Sequence, residues 1–289
     1  MKPSQTRSFF LGPLSAAVVL LMLAGTAHAQ SPQGTTQQPP DGAAGQPFDQ
    51  VPPPIPPRAP VQLQQPYWSS IAGFEADTHD TGYGFFGPQY VKPFQPNVAW
   101  IAGANVNYLY YQFPSASGES SVRAPGFAAR GGVKFGDRNY VQLSAGPGIK
   151  FRRTEVVSAA GNVIQSSSDT LVGLDMGADV SVDPTTHNNI YGIVDYNTLD
   201  SYTWSRFAFK EQVGNYNWGG RFTPYVGAEV VGQGNQDIRS TQVGAFVEVV
   251  HVPSRISVMV RGGYKRSVFD IGPAQTGPWV AVGFYQRLR

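Results

Sequence analysis

The sequence predicts an all-β protein: an antiparallel transmembrane β-barrel of about twelve strands, with ten as the alternative count, preceded by a disordered proline-rich segment. Three observations carry this expectation. Apolar and polar residues alternate with a period of two along much of residues 67–289, the signature of a strand with two unlike faces. Only 14% of the 289 residues are charged while 12% are aromatic, and that charged share is about half of what a soluble domain carries. The amino terminus has the form of an export signal.

Residues 1–29 place Lys2 and Arg7 ahead of an apolar stretch from Phe9 to Leu23 and end in Ala27-His28-Ala29. This is the pattern of a secretory signal peptide, with cleavage expected after Ala29. The rival, an uncleaved anchor, suffers from Gly12 and Pro13 and from a core shorter than the ~20 apolar residues a spanning helix needs. Loss of Lys2 and Arg7 brings the 21 basic residues level with the 19 acidic ones. A chain so balanced has no electrostatic footprint for nucleic acid. Cysteine is absent, which removes disulfides, thiolate metal sites and cysteine nucleophiles together. Residues 30–66 hold nearly half of the prolines and read as a disordered linker, extended at ~3.1 Å per residue. A tether or spacer is the plain reading; a partner-binding arm and a plug that enters the barrel are the sharper ones.

Residues 67–289 form the barrel in this reading, with strands expected near 68–77, 82–92, 98–111, 124–135, 139–152, 169–183, 189–199, 202–212, 219–231, 239–250, 255–266 and 278–287. The second is interrupted by Pro88 and Pro93. The clearest is the sixth, where Val172, Leu174, Met176, Ala178, Val180 and Val182 share one parity and Asp175, Asp179 and glycines the other. A helix would mix these sets, whereas a strand separates them. The segments 141–152, 240–250 and 255–266 repeat the pattern, and in 100–111 Trp100 and Tyr108 bracket an apolar face opposite Asn105 and Asn107. Gly136-Asp137-Arg138, Val252-Pro253-Ser254 and Asp183 to Asn189 read as tight links. Ser115 to Arg123, Thr154 to Ser168 and Phe269 to Gly277 read as looser loops.

A soluble sandwich would carry many charges on its wet parity, but here that parity is Gly, Ser, Asn and Gln with sparse acids and bases. Such a face suits a crowded polar lumen, and the opposite face suits lipid. The chain ends Phe284-Tyr285-Gln286-Arg287-Leu288-Arg289, with aromatics near but not at the terminus.

The wet parity supplies the candidate lumen charges: Arg130 and Lys134, Lys150 and Arg152, Asp175 and Asp179, Arg206, Glu229, Glu248, and Arg261 with Lys265. Opposed charges in a narrow barrel fill the interior as a structural network, or line a polar path for a solute. Trp204 and Tyr225 suit stacking on sugar faces if they point inward, and membrane-interface anchoring if they do not. His79, His187 and His251 lack second ligands at metal spacing, so no metal site and no cofactor is expected. The one arrangement suggestive of a hydrolase is His251 with Ser254, and no third group is evident to orient the imidazole.

The stretch from Asp195 to Arg206, followed by Tyr225 to Asn235 and then Arg239 to Phe246, resembles the cellulose-biosynthesis protein BcsS family. A tyrosine, aromatic and arginine strand precedes a glycine-x-glutamate strand, a glycine-asparagine turn and an arginine-bearing strand. Gly173-Leu174-Asp175 and Asp183-Pro184 fit the same resemblance. Ala228 stands where the family has proline, and the proline-rich arm is not ascribed to the family. The resemblance implies an outer-membrane or envelope accessory protein of bacterial cellulose synthesis, with no catalytic residues to carry over, and the expected function is that of a non-enzymatic outer-membrane barrel assisting cellulose biosynthesis, secretion or fibre organisation. Its implied partners are outer-membrane lipid, a cellulose or other β-glucan chain, and neighbouring cellulose-secretion proteins. Asp195, Tyr202, Trp204, Arg206, Tyr225, Glu229 and Asn235 are the candidate lumen or glucan contacts. The alternatives are a general porin for small solutes, or an outer-membrane lipid hydrolase or protease.

Overall fold

The computed structural model describes residues 65–289 except 116–117, 159, 218–220, 271–272 and 289. The expected signal peptide and all but the end of the proline-rich segment lie outside the described residues. Thirteen strand segments follow in order: β1 (Tyr67–Asp77), β2 (Gly82–Gln95), β3 (Val98–Ser115), β4 (Gly118–Gly136), β5 (Tyr140–Val157), β6 (Val163–Val182), β7 (Asn188–Asn197), β8 (Tyr202–Gln212), β9 (Tyr216–Asn217), β10 (Arg221–Gly234), β11 (Ile238–His251), β12 (Ile256–Phe269) and β13 (Gln275–Leu288). The two-residue β9 pairs only with the start of β10. The other twelve run antiparallel, each beside the next, with β8 bonded to β10 and β13 returning to β1. The sheet is therefore a closed twelve-stranded barrel, and the alternative of ten strands does not occur. Among the described residues, closure leaves none of these twelve strands as an edge with a row of unpaired N–H and C=O groups.

The polarity of the barrel is inverted relative to a soluble protein. Val172 is 73% exposed and Phe74 60%, while Glu229 is 3% exposed and Gln242 is fully buried. The period-two pattern thus turns its apolar parity outward and its wet parity inward, as in β6, where Val172 and Leu174 are exposed and Asp175 is buried. Such an exterior is stable against lipid and not against water. Aromatic pairs sit on it near one rim, Trp68 with Tyr90 at 5.1 Å and Phe94 stacked on Trp100 at 5.0 Å, positions that suit a membrane–water boundary.

Three segments differ from the sequence reading. Ser115 to Arg123 and Thr154 to Ser168, expected as loops, are mostly strand: β3, β4, β5 and β6 run 18, 19, 18 and 20 residues, against the ~9–11 that span a membrane. Their ends pair as ribbons out to Ser115–Gly118 and Val157–Val163. Both faces of the β6 end are wet, every residue from Val163 to Thr170 being exposed, so backbone pairing persists where side-chain periodicity is lost. The third expected loop, Phe269 to Gly277, shrinks because β13 starts at Gln275. Strand β2 continues through Pro88 and shows an irregularity only between Pro93 and Gln95.

One end of the barrel, here the terminal end, carries Tyr67, Leu288 and the β2–β3, β4–β5, β6–β7, β8–β10 and β11–β12 links. The long ribbons project from the opposite end. At the terminal end Gly136 turns the chain with φ 91°, and a Cβ there would lie 1.9 Å from the Asn139 carbonyl oxygen.

The exterior belt yields a prediction. Val260 is 53% exposed at mid-strand, beside Val247 and Val282. Val260→Arg is expected to cost about 2–4 kcal/mol in the membrane. Urea titration of the lipid-reconstituted protein measures it, and a cost near zero would place that face away from lipid.

Candidate functional site

The lumen is crossed by two groups of charges. Along one wall, signs alternate through β1, β12, β10 and β8. Asp77 pairs with Lys265 at 2.9 Å, Lys265 with Glu75 at 3.8 Å, Glu75 with Arg261 at 3.9 Å, and Arg261 with Glu229 at 3.4 Å. Arg206 Nε closes the chain, donating to Glu229 Oε2 at 2.5 Å. Gln242 donates to Glu75 from β11, across the interior. Arg206 lies over the Tyr191 ring at 4.9 Å, and Arg261 over Trp279 at 5.6 Å. Of this wall, Arg206, Glu229, Arg261 and Lys265 were expected. Glu75 and Asp77 were not, although both share the inward parity of Tyr67 and Ser69, which could have exposed them.

The facing wall is built on β4 to β7. Arg130 bonds Asp175 on β6 and, at 2.5 Å, Asp195 on β7. Gln142 donates to Asp179 at 2.9 Å. Lys134 lies 4.1 Å from the centre of the Tyr140 ring and makes no ion pair among the described residues. Toward the terminal end Lys210 donates to Glu248 at 2.6 Å, and Ser257 donates to the same carboxylate. Arg152 pairs with Asp169 at 3.2 Å on the projecting ribbon, partly exposed, and so stands apart from the buried network.

A cavity of about 950 Å³ remains between these walls. At the terminal end its lining includes turn residues Arg138, Asp183, His187, Val252 and Arg255, so it opens there. At the opposite end Leu199 is the only turn residue that lines it among the described residues. That end is filled. Tyr111, Val122 and Ala124 are buried together with Phe113 against them, and Phe113 stacks on Phe269 across the barrel with ring centres 6.1 Å apart. The β7–β8 turn, residues 198–201, folds inward beside them. Thr198 N donates to Leu174 O at 2.8 Å, Thr198 Oγ1 accepts from Leu174 N at 2.9 Å, and Lys150 Nζ holds both oxygens of Asp200 at 2.9 Å. Paired glycines make room: a Cβ on Gly173 would meet Thr198 Oγ1 at 2.5 Å, and one on Gly148 would meet Leu199 Cδ1 at 3.4 Å.

The candidate contacts divide accordingly. Asp195, Tyr202, Trp204, Arg206 and Tyr225 line the cavity. Tyr202 donates to Gln233 at 2.8 Å, and Lys210 covers the Tyr225 ring at 4.8 Å. Glu229 is locked between Arg206 and Arg261 and lies outside the cavity lining. Asn235 is withdrawn further: its Oδ1 accepts from the backbone N–H groups of Asp237 and Ile238 at 2.9 and 3.1 Å, which makes it a turn-forming residue of the β10–β11 link. His251 Nδ1 and Ser254 Oγ stand 2.6 Å apart on the β11–β12 turn, with Phe222 against the imidazole. No described residue bonds the other ring nitrogen, so no acid orients this pair in the way a hydrolytic triad requires.

Residues 104–288, from β3 to β13, match the family model described as cellulose biosynthesis protein BcsS. The chain belongs to the BcsS family. No curated protein is significantly similar in sequence. Among solved structures, this BcsS-family chain is similar to the β domain of the Bordetella autotransporter BrkA, with 10% identity, 77% of this chain and 98% of that chain covered, and a TM-score of 0.45. It is similar also to the translocator domain of the autotransporter NalP from Neisseria meningitidis, at 10% identity, 77% and 88% coverage and a TM-score of 0.36. A bacterial polysaccharide outer-membrane secretin shares 10% identity over 78% of this chain and 99% of its own, with a TM-score of 0.33. Likenesses this distant say nothing about what the BcsS-family lumen does.

Two outcomes follow from this geometry. Glu229→Ala strands Arg206 without its carboxylate and is expected to cost about 3–5 kcal/mol, whereas Arg152→Ala, at the partly exposed pair, is expected to cost at most ~1 kcal/mol; paired denaturant melts compare them, and equal costs would dissolve the distinction between the two sites. Gly173→Val combined with Asp200→Ala removes the seat and the tether of the inward turn. Planar-bilayer recordings are expected to show low conductance for the parent and a raised one for this variant; a parent that already conducts freely would contradict the closed end.

Proposed function

We propose that this BcsS-family barrel resides in the bacterial outer membrane and supports cellulose biosynthesis without catalysing a step, acting as a fixed organiser at the site where cellulose is secreted or gathered into fibres. The observation that carries this reading is the one-ended lumen, because a barrel filled at one end suits holding better than conducting. Orientation follows from the projecting ribbons, since outer-membrane barrels keep short turns on the periplasmic side and long elements outside. The terminal end, where β1 starts at Tyr67, then faces the periplasm, in keeping with an exported chain. Lipid surrounds the belt, and the open end is available to a glucan chain or to neighbouring secretion proteins.

A general porin is less well supported, because the ion chain and the Phe113–Phe269 pair occupy the path a solute would take. The His251–Ser254 contact is the one observation that favours a hydrolase. Its missing third group weighs against it.

The test is a strain that makes cellulose, compared with the same strain lacking this protein and with the protein restored. Exported cellulose is expected to fall or change in texture on deletion and to recover on restoration, while synthase activity in isolated membranes persists. Cellulose unchanged in amount, location and texture would overturn the reading.

A further inference from the structure

Toward its closed end, where Trp204 and Asp195 lie, the cavity has its charges matched, although charged side chains line it. Arg130 is spent on Asp175 and Asp195, Lys210 on Glu248, and Arg206 on Glu229. Four lining charges have no ion pair among the described residues: Lys134 and Asp179, opposite in sign and on either side of Gln142 in the strand register, and Arg255 and Arg287 at the terminal mouth, where Arg287 lies over the Tyr67 ring at 3.6 Å. A strongly charged ligand therefore gains little toward the closed end, where Arg130, Lys150 and Arg206 already have carboxylates.

What the cavity does offer is unfilled hydrogen-bonding capacity beside an open aromatic face. Asn105 and Tyr191 line the space, and Asn105 Oδ1 and Tyr191 Oη are buried at its wall with no hydrogen-bond partner. The first is an acceptor and the second a donor, and a buried polar group left unmatched is costly. Asp195 commits Oδ1 to Arg130, and its Oδ2 has no partner among the described residues. A hydroxyl group donates and accepts at once, so a polyhydroxylated ligand satisfies all three. The rings differ in availability. Tyr140, Tyr191 and Tyr225 each have a cation over one face, and Tyr83 stacks with Phe85 at 5.8 Å. Trp204 lines the cavity with no stacked ring, no cation and no hydrogen bond among the described residues, and it sits directly opposite Asp195 in the β7–β8 register. A flat apolar platform beside a free carboxylate oxygen matches a pyranose, which has an apolar face and a rim of hydroxyls.

We propose that the cavity open at the terminal end binds the end of a neutral β-linked glucan chain, with Trp204 as the stacking platform and Asp195, Asn105 and Tyr191 as hydroxyl partners. The closed opposite end makes it a site for a chain terminus rather than for a chain in transit. Its volume of about 950 Å³ lies at the upper end of small-ligand sites, which suits an oligosaccharide rather than a single sugar. The proposal rests on the cellulose reading above for the choice of glucan, and on the cavity itself for the choice of a neutral polyol.

Isothermal titration of the purified full-length protein in detergent, with cellohexaose as probe and maltohexaose as the α-linked control, tests it. Saturable binding of cellohexaose is expected, at least tenfold weakened by maltohexaose's geometry and at least tenfold weakened by Trp204→Ala. Trp68→Ala, on the outer belt, is expected to leave binding unchanged, and Trp204→Phe to retain part of it. Heat-modifiable migration on a gel verifies that each variant is folded. Absence of cellohexaose binding by the parent, equal affinity for maltohexaose, or equal loss in Trp68→Ala and Trp204→Ala would each overturn the proposal. Failure of the two readings is separable: binding with unchanged cellulose in the deletion strain defeats the cellular role alone, and lost cellulose without binding defeats this site alone.

Discussion

Everything in this molecule follows from closing the sheet on itself, through the pairing of β13 with β1 over ten consecutive residue pairs, Trp68–Leu288 to Asp77–Trp279. In a lipid surround each backbone N–H and C=O must find its partner within the wall, and only a closed sheet supplies that everywhere. Closure sends one parity of every strand into lipid and the other into the interior. The polar groups that a soluble protein would place in water are thereby forced inward. They must neutralise one another there, which is why Asp77, Lys265, Glu75, Arg261, Glu229 and Arg206 form one alternating chain. Eight strands would leave an interior just wide enough for side chains. Twelve leave room for two charged walls and a cavity between them.

The barrel was largely legible in the sequence because lipid and lumen are such different surroundings that parity is written strongly. Val172 to Val182 could not have been placed on any other element. Legibility failed where both faces of a strand meet water. Ser166, Ser167 and Ser168 read as loop, yet they pair with Glu155, Thr154 and Arg153, since a hairpin already held by neighbouring strands continues on backbone hydrogen bonds without an apolar face. Pro88 was a lesser obstacle than it looked, because its missing donor falls at a position where β2 is held by β1 and resumes pairing with β3 at Gln89.

For the lumen, parity revealed which residues face inward but not which meet. Glu229 and Arg206 are diagonal neighbours on adjacent strands, a relation that register could suggest. Gln242 reaching Glu75 joins residues 167 apart in sequence, and only the curvature of the closed wall brings them together. Asp200 looked like an ordinary turn residue. Its inward seat depends on two glycines, Gly148 and Gly173, whose missing side chains leave a hollow that no motif announces. Asn235, by contrast, carried its own explanation in sequence, as the asparagine that follows glycine in a tight turn, and the turn rather than the lumen takes its side chain.

The unequal strands have a consequence for how the barrel meets its surroundings. Four adjacent strands, β3 to β6, reach 18 to 20 residues while β7 and β8 have 10 and 11. The rim is thus cut obliquely, like the nib of a quill, tall on one side and low on the other. A molecule with such a rim has a compass bearing in the plane of the membrane as well as an up and a down. Anything large that settles on it, whether a fibre or another protein, meets a parapet from one quarter and a clear sill from the other, so its approach acquires a heading.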